Sequence, residues 1–338
     1  MPEKFQFSRE AAKITLNNIA SWEELNATIL EEADKKFKDK TKDTWKKFAV
    51  SGVLQYDPKE GQQVLKPFTD LDGKCALGIL NLAGFDTSNL TYVKPGDYLQ
   101  GAINLDTGNK FGVIYEEPTQ TAYFDHHGQD AQEITSTTHL IYQTLIDLEM
   151  IEKSEDLDRL VDFVTKIDNR QFSPDEFLKS AKTILGLHRD LDFAQLLAYF
   201  KEHESPIDEL TPEELKRYGL WEAAEKQQRL VDEAMATLAK MEKEGKVIDT
   251  KYGKIVVNEN NELKVGSSAA YVKFDGIINF TPKKSFAITL QDNNFNEEEL
   301  RNKLGDKFQG KIIRGKMWLY NESESLKLNL EEIIEVLK

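Results

Sequence analysis

Between residues 50 and 125 the chain alternates short apolar runs with turn signals, and acidic residues close several of those runs. Leu90–Val93, Ala102–Leu105, Phe111–Tyr115 and Thr121–Phe124 read as strands. Pro95-Gly96, Gly108-Asn109 and Glu116–Pro118 separate them with residues that favour turns. Lys74–Gly84 reads as a short apolar helix. Strands interleaved with helices predict an α/β sheet, and such sheets hold ligands in the crevice at their strand ends. Asp70 with Asp72, Asp106 and Asp125 fall at those ends, which is where a polar site belongs.

The flanking sequence predicts further elements. Residues 1–50 read as an N-terminal helical extension opened by the capping box Ser21-Trp22-Glu23-Glu24. Residues 131–205 read as mostly helical. Ser173-Pro174-Asp175-Glu176 and Thr211-Pro212-Glu213-Glu214 give two more helix starts. Leu230, Ala234, Leu238 and Met241 form one apolar stripe on a helix near Trp221–Glu244, which Gly245 can end. From residue 246 the texture changes. Ile255–Val257, Gly266–Lys273, Gly276–Phe280, Ser285–Leu290 and Lys316–Tyr320 read as strands, and Glu298–Leu304 and Leu330–Leu337 as helices. The expected organisation is a helical extension (1–50), a larger α/β domain (51–210), a linking helix (211–245) and a smaller C-terminal α/β domain (246–338).

Charge narrows the classes of partner. The net charge of −15 argues against a long nucleic-acid strand held by bulk positive charge, because such a strand wants a basic groove. It leaves room for phosphates held through bound cations. One cysteine forbids an internal disulfide and fits a reducing compartment. The longest apolar run, around Cys75–Phe85, is too short to span a bilayer, and Met1–Glu10 has no apolar leader. A soluble cytoplasmic protein with no membrane partner is expected.

Phe124-Asp125-His126-His127 places two of the five histidines side by side beside an acid. Neutral imidazole ligates divalent transition metals well. Asp70-Leu71-Asp72-Gly73 reads as a strand end with two carboxylates on one side, followed by a sharp turn at Gly73. Asp106 follows an apolar run, and Asp168 sits at the end of a helix or strand. Each is explained alone by a turn, a cap or a surface position. Taken together, they could supply ligands to a pair of metal ions bridged by one carboxylate.

This ordered set resembles the DHH phosphoesterase superfamily, of the oligoribonuclease-like kind. Phe68-Thr69-Asp70-Leu71-Asp72-Gly73 resembles its first motif, Ile103–Gly108 its second and Phe124–His127 its third. Ser136-Thr137-Thr138 is similar to the helix start that follows, and Asp168 matches the fourth motif. The resemblance covers about Leu65–Arg170. It implies a parallel-sheet domain with helices on both faces, plus a smaller C-terminal α/β domain. It also implies metal-dependent hydrolysis of a nucleotide, short oligonucleotide or cyclic dinucleotide by metal-activated water. Asp70, Asp72, Asp106, His126 and Asp168 would then be ligands to Mn²⁺, with Mg²⁺ as the alternative. Asp106 and Asp168 are the candidates for the bridge. Asp125 would orient an imidazole, and His127 would contact the scissile phosphate.

Two departures from the pattern stand out. Phe68 occupies a position where the family commonly has His or Asp, which weakens one metal site. The family's C-terminal Gly-Gly-His run is missing after residue 206. Gly310–Lys316, with Arg314 and Lys316 to pair with phosphate, is the nearest substitute. These departures leave open a catalytically impaired binding or scaffold protein. Phe68–Gly73 also resembles the start of haloacid-dehalogenase phosphatases, in which Asp70 would be the nucleophile, although Lys74 stands where that family has Thr. The sequence is silent on oligomeric state.

Overall fold

The computed structural model describes residues 45–57, 62–127, 134–169, 171–172, 176, 181–259, 262–263, 270, 273–281, 285–290, 297–305 and 330–338. The elements run β1 (Phe48–Ser51), β2 (Leu54–Asp57), β3 (Gln62–Leu65), α1 (Leu71–Leu82), β4 (Leu90–Val93), β5 (Ile103–Leu105), β6 (Gly112–Glu116) and β7 (Thr121–Asp125). Next come α2 (Thr137–Asp147), α3 (Glu155–Asp168), α4 (Ile184–Leu187), α5 (Phe193–Phe200), α6 (Pro212–Arg217) and α7 (Trp221–Lys243). The last are β8 (Val247–Thr250), β9 (Gly253–Glu259), β10 (Gly276–Thr281), β11 (Ser285–Leu290), α8 (Glu297–Leu304) and α9 (Leu330–Leu337). The chain forms two compact units, one of residues 1–171 and 188–206, the other of residues 172–187 and 207–338.

The first unit is built on a five-stranded sheet of order β4-β1-β5-β7-β6. β4, β1, β5 and β7 are parallel, and β6 closes the edge antiparallel to β7. From β1 the chain reaches β4 on one side, then crosses to β5 on the other. The strand order therefore reverses between β1 and β5, and a crevice opens there at the strand C-termini. β1 corrects the expectation of helix up to residue 50. Phe48, Ala49 and Val50 have no exposed surface, and a strand covered on both faces shows an unbroken apolar run with no alternation to mark it. β2 and β3 pair as a hairpin that the sequence reading left unassigned.

α1 corrects a second expectation. Asp70-Leu71-Asp72 is not the end of a strand. Asp70 is the N-cap of α1, with its carboxylate accepting from Gly73 N at 3.1 Å, and Asp72 lies in the first helical turn. Gly73 is therefore helical rather than a turn residue. Its missing side chain lets α1 approach the sheet, since a Cβ there would lie 2.9 Å from Val50 Cγ2 and 2.2 Å from Thr69 Oγ1. α1 packs on α2, α3 and α5, and α2 packs on β7.

In the second unit β11-β10-β9-β8 form a mixed sheet in which only β9 and β10 run parallel. Alternate residues of β9 face opposite ways. Ile255 and Val257 meet Ile333 and Val336 of α9, while Val256 meets Ala234, Leu238 and Met241 of α7. The helix expected as a link between domains is thus one layer of this unit. The capping box Thr211–Glu214 opens α6, and Gly245 follows α7 with φ +75°. The molecule is a mixed α/β protein with a mainly parallel central sheet. Arg314, Lys316, the strand expected over Lys316–Tyr320, the Ser21 capping box, the Ser173-Pro174-Asp175 helix start and most of Gly266–Lys273 lie outside the described residues. Among the described residues no helix is long and apolar enough to cross a membrane.

Candidate metal centre

All seven acids and histidines singled out between Asp70 and Asp168 belong to the first unit. Asp70 and Asp72 come from the start of α1, Asp106 from the loop after β5, Asp125 from the last residue of β7 with His126 and His127 following, and Asp168 from the last residue of α3. His126 is the hub. Its Nε2 lies 3.0 Å from Asp168 Oδ2, and its Nδ1 lies 3.4 Å from Asp72 Oδ2 and 3.7 Å from Asp106 Oδ1. Two sets of ligand atoms cluster within 4.8 Å of one another: Asp72, His126 and Asp168, and Asp106, His126 and His127. Asp70 belongs to neither close set. It lies at the mouth of the adjoining cavity, together with Asp106.

Each carboxylate is held differently. Asp72 is buried, and its two oxygens accept from Thr137 N and Thr138 N, both at 2.8 Å. Burial would raise its pKa, but the bonds from His126 and Thr138 outweigh burial and hold the carboxyl below its ordinary value. Asp106 adopts a left-handed backbone with φ +56°, a conformation that costs a non-glycine residue energy and gathers at functional sites. Its Oδ1 is buried and makes no well-formed hydrogen bond among the described residues, lying 3.3 Å from His127 Nδ1 and 3.7 Å from His126 Nδ1. Burial raises the Asp106 carboxyl to about 8, against the pull of His127 and with the push of Asp70 and Asp72. Asp70 rises to about 6, first because surrounding protein displaces water, then because Asp72 lies near.

Asp125 is fully buried and orients His127 from two sides. Its Oδ1 accepts from His127 N at 2.9 Å and meets His127 Nδ1 at 3.0 Å, while Oδ2 accepts from Lys110 N at 3.2 Å. That fixes His127 Nδ1 and leaves Nε2 as the free ring atom. The two imidazole rings are tilted at 37° to each other with their centres 3.9 Å apart. His127 is raised to about 10, first by Asp106 and then by Asp125. For His126, burial lowers the pKa, but bonds to Asp168 and Asp72 raise it further, to about 11.

The donor set suits a divalent cation. Asp106 Oδ1 is buried and makes no well-formed hydrogen bond among the described residues, facing only the two imidazoles, and a cation would satisfy it better. Carboxylate oxygens mixed with imidazole nitrogens fit Mn²⁺, or Mg²⁺ with more water in its shell. Phe68, two residues before the cap of α1, is about half exposed, and a phenyl ring offers no ligand atom.

Several supports were invisible in the sequence because they are backbone groups, namely the amides of Thr137, Thr138 and Lys110. Ser136 caps α2 and bonds Thr165 of α3 at 2.9 Å, and Asn169 donates to Thr135 O at 2.8 Å, so the ends of α2 and α3 are joined beside the site. Buried Asn104, in the middle of β5, takes Leu99 N at 2.7 Å and donates to Leu99 O and Ala122 O at 3.0 and 3.2 Å. A polar residue inside an otherwise apolar strand was its only signal.

No family model matches this chain, and no curated protein matches it. Among solved structures it is similar to an uncharacterized protein from Helicobacter pylori G27, with 13% identity over 86% of this chain and 98% of that chain. The TM-score of 0.25 is too low to assign fold or activity from that likeness.

Proposed function

We propose that this chain is a divalent-metal-dependent phosphoesterase of the DHH kind, acting on a nucleotide, short oligonucleotide or cyclic dinucleotide. The observation that carries the reading is the convergence of Asp72, Asp106, His126 and Asp168 from four separated segments, with the buried Asp106 Oδ1 facing the imidazoles of His126 and His127. These four residues would hold the cation. Asp70, at the cavity mouth, and His127, beside Asp106, would complete a second and weaker position that lacks a nitrogen ligand at Phe68. Bound there, the cation would acidify a water and offset charge developing on the phosphoryl group. The protein's own part is positional. Asp125 holds His127 so that Nε2 can donate to a phosphate oxygen, and the α2 amides hold Asp72 ionised. The position of the cavity at the strand-order reversal supports the same reading.

Titration calorimetry with Mn²⁺ tests it, together with hydrolysis of a panel of nucleotides, dinucleotides and pyrophosphate. The expected result is Mn²⁺ binding with turnover, both lost in Asp106→Asn. Mn²⁺ binding without turnover of any panel member would favour the second reading, a binding or scaffold protein. Phe68 and the place of Asp70 outside the close ligand sets motivate that alternative. Phe68→His should raise Mn²⁺ affinity if the missing imidazole weakens one position.

A further inference from the structure

We infer that the cavity beside the cation-binding groups seats the uncharged, hydroxyl-bearing part of a phosphoester, a pentose-sized sugar, and that Asn109 reads it. The inference rests on the phosphoesterase reading above. The cavity lies where the loops after β1, β4, β5 and β7 meet, and Asp70, Asp106, Asp125 and His127 line the side that faces the metal centre. The remaining wall includes Ser51, Gly52, Pro95, Gly96, Thr107 and Asn109.

Size and charge limit the occupant. The cavity holds about 280 Å³, just under the range of about 300–1,000 Å³ for sites that enclose drug-sized ligands. That admits one sugar-sized group rather than several nucleotides. Among the described residues its wall carries no lysine or arginine. A second phosphate would meet the carboxyl groups of Asp70, Asp106 and Asp125 and neither lysine nor arginine there, whereas phosphate recognition by protein uses Arg or Lys.

The neutral polar groups remain available. Thr107 is committed, its hydroxyl donating to Asp97 O at 2.6 Å. The Ser51 hydroxyl and the Asn109 amide make no hydrogen bond among the described residues. Asn109 is exposed and lies along the cavity wall. Its backbone is left-handed at φ +52°, and its amide nitrogen lies only 2.6 Å from where a Cβ on Gly96 would be. Gly96 therefore leaves the space that Asn109 fills along the cavity wall. An amide offers both donor and acceptor, which suits a hydroxyl and cannot neutralise an anion.

The test compares ligands sharing one phosphate on the full chain with saturating Mn²⁺: inorganic phosphate, phenyl phosphate and ribose 5-phosphate. Calorimetric constants are read, or KM where an ester is turned over. Ribose 5-phosphate is expected to bind about tenfold more tightly than either of the others, the worth of one or two hydrogen bonds. Asn109→Gly removes the amide while keeping the left-handed backbone, and should bring that ratio close to one; Ser51→Ala should lower it in part. Phenyl phosphate binding as tightly as ribose 5-phosphate, or a ratio unmoved by both variants, overturns the inference and leaves the phosphoesterase reading standing. Failure of phosphate itself to bind the Mn²⁺-loaded chain overturns both.

Discussion

A buried carboxylate oxygen without a hydrogen bond costs about 1–3 kcal/mol, and more when charged, so Asp106 is costly in the bare protein and useful to a cation. Asn is the informative replacement because it tolerates the left-handed backbone at this position. In Asp106→Asn we expect no calorimetric Mn²⁺ binding, and a metal-free melting temperature at or above that of the parent at pH 8. Retained Mn²⁺ affinity would remove Asp106 from the ligand set. Asp125 acts through His127, which it holds at two points, and is itself a member of neither close ligand set. Asp125→Asn should therefore lower hydrolysis by about 10–100-fold and shift its pH profile, with a smaller change in Mn²⁺ affinity. Side chains of this kind announced themselves in the sequence, as acids and histidines closing apolar runs. The amides that fix them did not, since any residue but proline at 137, 138 or 110 supplies the same N–H.

Two helix starts meet through one residue, and that junction belongs to the element scale. Asp72 sits in the first turn of α1 and receives the first amides of α2, while Thr138 Oγ1 donates back to Asp72 O at 2.8 Å. The start of α1 was misread because Asp-x-Asp fits either a strand end or a helix cap, and only tertiary packing decides. β1 was missed for the opposite reason, as its buried run has no period of two to distinguish it from helix. Elements with a solvent-facing side, such as α6 and α7, lie within a residue or two of where the sequence pattern puts them. Gly78 shows how tightly α1 is packed: a Cβ there would lie 2.1 Å from Phe193 Cγ of α5. Gly78→Ala should destabilise the protein by about 1–3 kcal/mol, seen as a lower urea midpoint with an unchanged slope. A neutral effect would mean α5 can move away at no cost.

For the whole molecule, the cluster makes stability depend on pH in a direction that can be worked out. Asp106 is raised to about 8 from an ordinary 3.8, so its contribution is complete below pH 4 and is lost as pH rises through 8. His126 and His127 are raised to about 11 and about 10 from 6.5. Their stabilisation is complete below 6.5 and disappears as pH rises through those values. Asp72, held low, acts oppositely and withdraws support only on acidification. Asp106 therefore weakens the metal-free protein up to about pH 8 and the two histidines go on weakening it up to about pH 10 and 11, while the net charge of −15 deepens with each proton lost. A cation reverses the balance, because it requires neutral imidazole and ionised carboxylate and displaces the protons that the bare cluster retains. Thermal scans from pH 6 to pH 9 should show the metal-free melting temperature falling while the increment produced by Mn²⁺ grows. An increment independent of pH would mean that the ion binds without displacing protons, and would place it away from His126.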